Sequence, residues 1–264
     1  MDVSNTWHSV GRYTLPVGLF ILWEALYLLV KEPAMASPWQ SIVALVNNAG
    51  EWLTDIGITL TALLVSFAIC AVMGTIFGFF VGLSSFWTQT IHPILLALYS
   101  IPKVTLYPVF LLVFGLTVEG RIAFSVFHGI FPICIICMEA TRMIPKTYLK
   151  LATAYQMSFV QKVRYIIIPA ILPQLVVGLR MGFSLCFLGL ILSEMFASYK
   201  GLGYRLTHYM ALNQTSAILA LFLIVIFLAF FFTFIFLLWQ ERMERKIGKT
   251  ERMIEADSRG QDRS

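Results

Sequence analysis

Residues 216–239 read SAILALFLIVIFLAFFFTFIFLLW, 24 residues without a single charge. A hydrocarbon core about 30 Å thick is crossed by roughly 20 apolar residues rising 1.5 Å each in a helix. Lipid offers no hydrogen bonds, so a lone strand there would leave its backbone unsatisfied. Barrel strands would be about ten residues long and would alternate apolar with polar side chains, which this stretch does not do. It therefore reads as a transmembrane helix.

Working outward, five further stretches have the same character: 13–30, 57–83, 91–116, 121–138 and 174–197. Six crossings fit a chain of 264 residues that is 59% hydrophobic and 12% charged, with a mean hydropathy of +0.82. That balance excludes an ordinary water-soluble surface. The expected fold is an all-α membrane protein, a polytopic bundle of about six transmembrane helices. The first stretch is interrupted by Glu24 and lacks a convincing cleavage site, so it is expected to remain as a span.

The net charge of +5 and the pI near 9.1 would suit a nucleic-acid binder, but the basic residues lie between spans. They serve as topology signals instead, and no nucleic-acid partner is expected. Arg142, Lys146, Lys150, Lys162 and Arg164 crowd one connection, and Arg242, Arg245, Lys246, Lys249, Arg252, Arg259 and Arg263 crowd the C-terminal tail. The opposite connections hold only Lys31, Arg121, Lys200 and Arg205. Under the positive-inside rule, both termini and the 140–173 loop face the cytoplasm. The expected layout is a cytoplasmic N-terminus at 1–12, a transmembrane domain at 13–240 and a charged cytoplasmic tail at 241–264.

The 140–173 loop is long for a compact membrane protein, and long loops tend to be functional. Leu149, Ala152, Tyr155, Phe159, Val163, Ile166 and Ile167 recur at spacings of three and four, predicting two short amphipathic helices. Pro169 and Pro173 are expected to break the pattern before the fifth span. The result is a cationic, half-apolar knob suited to a groove in a soluble partner. In the second span Gly74, Gly78 and Gly82 form two overlapping G-x-x-x-G steps, a smooth stripe for close helix approach, at a pathway, a dimer seam or within the bundle. Pro93, Pro102 and Pro108 favour kinks in the third.

Ionisable groups within spans are functional candidates. Lys103, Arg180, Glu194 and Glu24 are the candidates for pathway or intramembrane polar roles. Lys103, the deepest, would accept an anion or pair with Glu24; Arg180 and Glu194 would serve as interhelix pairs or helix-end anchors. Cys70, Cys134, Cys137 and Cys186 all lie in apolar stretches and read as small buried hydrophobes rather than metal or redox groups. His8, His92, His128 and His208 are scattered, and no catalytic set or metal-ligand spacing is evident, so an enzyme is not expected. Gly248-Lys249-Thr250 resembles the end of a phosphate loop, but the required earlier glycine falls at Met243.

The segments Ser100-Ile-Pro-Lys-Val-Thr-Leu-Tyr-Pro108, Phe114-Gly115, Phe131-Pro132 and Glu194-Met-Phe-Ala-Ser-Tyr-Lys-Gly-Leu-Gly-Tyr204 resemble permeases of bacterial ABC importers, of the nitrate, sulfonate and taurine type. The resemblance covers roughly residues 15–245. The family's cytoplasmic motif, Glu-Ala-Ala, three residues, Gly, nine residues and hydrophobic-x-Leu-Pro, aligns on Pro169. Lys150 then stands at the Glu position, Leu151 and Ala152 at the two Ala positions, and Gln156 at the Gly. Only Ala152 and Pro169 match strictly; among the departures, Lys150 for Glu reverses a charge and Gln156 for Gly removes a flexible turn.

The resemblance implies a homodimer of permeases in the bacterial inner membrane, partnered by ATP-binding cassette ATPase subunits and an extracytoplasmic substrate-binding protein. Residues Lys150, Leu151, Ala152, Thr153, Ala154, Tyr155, Gln156, Met157 and Ser158 would form the ATPase-docking coupling loop. This chain would bind no cofactor itself, ATP being used by the partner ATPase. Sulfonate, taurine, nitrate or a similar anion is the implied solute, with a vitamin or pyrimidine precursor as the alternative. A self-sufficient secondary transporter or channel is the second alternative, disfavoured by the long knob and by the lack of 3+3 repetition.

Overall fold

Ser37 ends an extended segment and accepts the Gln40 N–H, while the Gln40 side chain accepts from the Ser37 N–H; with Pro38 in the first turn, this capping box starts the first long helix. The computed structural model describes residues 18–30 and 35–261, with side chains as far as Met243. The elements are α1 (Gly18–Val30), α2 (Pro38–Gly82), α3 (Ser85–Ser100), a 3₁₀ turn (Lys103–Leu106), α4 (Tyr107–Phe114), α5 (Val118–Arg142), α6 (Lys146–Ala154), α7 (Phe159–Lys162), a π turn (Val163–Ile167), α8 (Ile168–Ala197), α9 (Leu202–Ala211) and α10 (Thr215–Gln261). Among the described residues there is no strand.

By length and apolarity, four helical segments, α2, α5, α8 with its lead-in and α10, can each cross a membrane, and α3 with the segment through α4, bent by 83°, can make a fifth as a broken span or a re-entrant loop. The shorter apolar α1 coincides with the described part of the expected first span, residues 13–17 lying outside the described residues. The all-helical polytopic bundle is thus as expected, but several boundaries differ. Instead of starting at 57, α2 starts at Pro38, because Glu51 and Asp55, which look like loop residues, sit on the helix and pair with Arg205. The 91–116 stretch is broken, not kinked: Pro102 excludes Ile101 from the helical region, and Ile101 is extended at ψ 134°. Pro93 is carried inside α3 without a break.

Pro169 and Pro173 do not stop the fifth span, which runs as one apolar helical segment from Phe159 to Ala197. The π turn before them, with Ile168 N–H reaching Val163 O, re-spaces the backbone where Pro169 has no N–H to offer. Helix α10 likewise continues without interruption from its apolar span through the expected tail to Gln261.

The core is organised around α5, which packs between α2 and α8. On the α2 side, a Cβ added at Gly74 would lie 3.0 Å from Ile133 Cβ, one at Gly78 2.5 Å from Cys134 O, and one at Gly82 2.7 Å from Met138 O. On the other side, a Cβ at Gly182 would meet Ile133 Cδ1 at 2.5 Å and Gly129 O at 2.9 Å. Helix backbones touch on both faces of α5, and the glycine stripe is spent on packing within the chain. The four cysteines are buried here, Cys70 Sγ lying 3.2 Å from Cys186 Sγ.

Gly78→Leu places side-chain atoms against a carbonyl that cannot rotate away. A loss of about 1–3 kcal/mol is expected, read as a lower melting temperature in detergent. An unchanged melting curve would mean that α2 and α5 do not meet along this face.

Candidate functional site

The knob joins α5 to α8. Helix α6 ends in a Schellman motif: Met157 N–H bonds Ala152 O and Gln156 N–H bonds Thr153 O, both at 3.0 Å, with Gln156 at φ 50°. A left-handed turn is therefore present at the position the motif gives to glycine, formed by Gln156, for which that conformation is strained. Ser158 and Gln161 then close a capping box that opens α7. Two short helices form, as the spacing predicts.

Burial sorts the knob residues into two groups. Ala152 is fully buried, so it anchors α6 rather than presenting itself to a partner. By contrast Leu151, Tyr155, Phe159 and Val160 are exposed, as are Lys150, Thr153, Ala154, Gln156 and Ser158, while Met157 is half-buried. Of the apolar stripe at spacings of three and four, Leu149, Tyr155 and Phe159 are exposed, Val163 and Ile166 half-buried, and Ala152 and Ile167 buried.

Lys103 sits in the 3₁₀ turn of the broken span, buried, with Nζ donating to Tyr99 O at 2.9 Å. Its ammonium also lies 4.5 Å from the Tyr99 ring centre and 5.3 Å from that of Phe131. Aromatic faces and a carbonyl hold this charge, rather than Glu24 on α1. Arg180 is half-buried on α8, away from this cluster in sequence and with its carbonyl accepting from Ser184 Oγ.

Glu194 is fully buried and centres a carboxylate cage at the end of the bundle opposite the knob. Thr59 Oγ1 lies 2.9 and 3.0 Å from its two carboxylate oxygens, Gly203 N–H donates to it at 3.0 Å, and an Arg121 guanidinium nitrogen lies 3.9 Å away. Arg121 also donates to Ser198 Oγ at 2.8 Å, while its buried Nε has no partner among the described residues. The amides of Gly201, Leu202 and Gly203 donate in turn to Asp55, Thr59 and Glu194, so α2 and α8 cap the N-terminus of α9. Gly201 adopts φ 101°, and a Cβ there would strike the Glu194 carboxyl. Asp55 also holds Arg205 Nε at 2.6 Å and raises that guanidinium above its usual range.

The structure joins Glu194 to Thr59 and Arg121 and sets Asp55 beside them, a grouping that sequence reading did not make. Asp55 lay ahead of the expected second span and Arg121 served as a topology marker. The four-residue step from Asp55 to Thr59 was the available signal, since it puts both on one helix face.

A broken span, a carboxylate-capped turn and an exposed helical knob on a multi-pass bundle describe a membrane transport component. Residues 72–249 match the family described as binding-protein-dependent transport system inner membrane component, and the chain belongs to that family. It is 24% identical over 210 residues to the aliphatic sulfonates transport permease protein SsuC of Bacillus subtilis, covering 78% of this chain and 76% of that one. It is 25% identical over 192 residues to the formylaminopyrimidine transport permease protein ThiX of Halalkalibacterium halodurans, covering 70% of this chain and 75% of the other. The fold also resembles a chain of the inward-facing MetNI methionine ABC transporter, with a TM-score of 0.63 and 18% identity over 73% of this chain and 95% of that chain.

Two substitutions test this geometry. Gln156→Gly is expected to stabilise the knob by roughly 0.5–1 kcal/mol by relieving the left-handed strain, measured as slower amide exchange in α6. Thr59→Val leaves the Leu202 N–H and the Glu194 carboxylate short of a partner. A loss of about 1–3 kcal/mol in detergent melting is expected, and no loss would mean that the cage does not hold α9.

Proposed function

We propose that this chain is the permease subunit of an ATP-driven importer, working as a homodimer with cytoplasmic termini. A separate ATPase subunit docks on the knob, and an extracytoplasmic binding protein delivers the solute. The observation that carries this reading is the knob itself: its apolar residues Leu151, Tyr155, Phe159 and Val160 are exposed beside Lys150 at the head of a helix that runs through the bundle. Exposed apolar groups flanked by charge fit a groove in a partner. Helix α5 ends at Arg142, and the basic residues of the following segment support a cytoplasmic location.

The proposed solute is a small anion such as a sulfonate, taurine or nitrate. The similarity to SsuC and the buried Lys103 beside the break in the third span support it. The broken helix supplies irregular backbone at membrane depth, which is tolerated where it borders protein or a cavity. A pyrimidine or vitamin precursor is the second reading, favoured by a comparable similarity to ThiX. In either case chemistry is left to the ATPase, and the permease contributes shape and movement.

Tyr155→Asp is the cleaner probe of docking, because Tyr155 is 70% exposed whereas Ala152 is part of the knob's own packing. Uptake into cells is expected to fall at least about tenfold while the amount of chain in the membrane stays the same. Affinity purification from the native membrane, followed by mass spectrometry, is expected to return a stoichiometric ATPase with the wild type and little with the variant. A pure chain that transports alone in liposomes would favour the secondary-transporter reading.

A further inference from the structure

Between Glu119 and Glu194 the sequence holds a single carboxylate, Glu139, and it stands in the last turn of α5, shortly before Arg142. The histidine that faces it comes from α3: His92 Nε2 lies 2.9 Å from Glu139 Oε1. Ionisable groups set in apolar helices are costly to keep and are candidates for function. This contact holds in either state of the imidazole, as a hydrogen bond when the ring is neutral and as an ion pair when it is protonated. Among the described residues no other side-chain hydrogen bond joins α3 to α5.

The two helices are held very differently. Helix α5 is locked, since a Cβ at Gly78 would lie 2.5 Å from Cys134 O and one at Gly82 2.7 Å from Met138 O, which sets the turn carrying Glu139 against the α2 backbone. The Glu139 carbonyl accepts the Met143 N–H at 2.9 Å, closing α5 where the knob begins, and α6 starts at Lys146. Helix α3 is looser: within the chain only Thr88 and Leu95 of its 16 residues are buried. At its start Thr88 Oγ1 donates to Val81 O at 2.9 Å, and at its end the backbone turns extended at Ile101 and bends by 83° into the segment through α4. Its remaining hold on α5 is an apolar cluster in which Leu95, Ile91 and Tyr99 join Phe131, Ile135 and Met138. Apolar contact is non-directional and leaves a helix free to shift along its neighbour. The His92–Glu139 contact fixes one position.

We propose that His92 and Glu139 are positioning residues, the contact through which the root of the knob sets the bend of the broken span. The proposal rests on the importer reading, in which a docked ATPase moves the knob. Only residues 143–145 separate α5 from α6, so the last turn of α5 follows the knob. Through Glu139 it draws His92, and α3 pivots about the Thr88 tie. Ser100 lies about two helical turns beyond His92, so the movement is delivered to Ile101 and to Lys103, whose Nζ donates to Tyr99 O in the last turn of α3. The contact is suited to making and breaking. The His92 and Glu139 side chains are 31% and 46% exposed, and pairs so exposed contribute little to overall stability. Losing the pair spares the fold and changes the movement.

The test uses the full-length chain purified with its ATPase subunit and reconstituted in phospholipid vesicles. Nitroxides are attached at Leu96→Cys and Val109→Cys, exposed positions on the two arms of the bend, the four native cysteines being buried. Double electron–electron resonance then reads the separation of the arms before and after ATP with vanadate traps the ATPase. Trapping is expected to shift the separation in the wild type. In His92→Leu and in Glu139→Leu the ratio of shifted to unshifted molecules is expected to fall about fivefold or more, the scale of a lost coupling between two sites. ATP hydrolysis, recovered ATPase and melting temperature are expected to stay at wild-type values. The exchange of His92→Glu together with Glu139→His is expected to restore the shift, which a contact that only filled space would not do.

A wild-type shift in either single variant overturns the proposal, and so does an exchange that restores nothing. Loss of the shift together with a lower melting temperature overturns it in favour of plain packing. A wild type that holds its ATPase but shows no shift overturns it and leaves the importer reading standing, whereas a wild type that recovers no ATPase overturns both.

Discussion

The close approach of α2 and α8 to the two faces of α5 is the constraint on which the rest of the fold depends. In lipid, burying apolar side chains gives little drive for helices to associate, so packing at the backbone decides which helices meet. Gly74, Gly78 and Gly82 on one side and Gly182 against Gly129 on the other leave α5 no room to slide, because a carbonyl or a branched side chain occupies the place of each missing Cβ. With these three helices fixed, the elements at their ends are fixed as well. The knob hangs between α5 and α8, and the carboxylate cage spans α2, α5 and α8.

The cage explains why so polar a cluster is kept in an apolar protein. A buried carboxylate is costly unless its oxygens are satisfied. Thr59, Gly203 and Arg121 satisfy Glu194, and Asp55 serves both Gly201 and Arg205. In return, the first amides of α9 find acceptors that their own helix cannot supply. The cage and the knob occupy opposite ends of the same bundle, and α8 joins them directly.

Much of this was legible in the sequence because a membrane helix has to meet few conditions. Length and apolarity alone located the long apolar helices, though six crossings were expected and four or five helical segments among the described residues are long enough, and the period of three and four in the knob located its two helices. The break after Ser100 was only half legible: Pro93, Pro102 and Pro173 look alike in sequence, and only at Pro102 does the preceding residue turn extended. The cage was not legible as a unit, since Thr59 and Glu194 are 135 residues apart and Asp55 and Gly201 are 146 apart. Contacts of that range depend on the helix packing itself. The Gln156 turn was hidden for the opposite reason, because a residue that usually avoids the left-handed region adopts it under local hydrogen bonding.

The 39 residues from Phe159 to Ala197 form one helical segment, a rod of roughly 58 Å. One end is set in the knob, and the other carries Glu194 just before the turn into α9. Gly178, Gly182 and Gly189 each rest on α5 along it, so a tilt at one end carries α5 with it rather than turning on a single point. The π turn is the one place along it where the helical spacing changes, so it is where slack would enter. A stiff rod with its soft joint beside the handle moves at its far tip only by what that joint does not absorb.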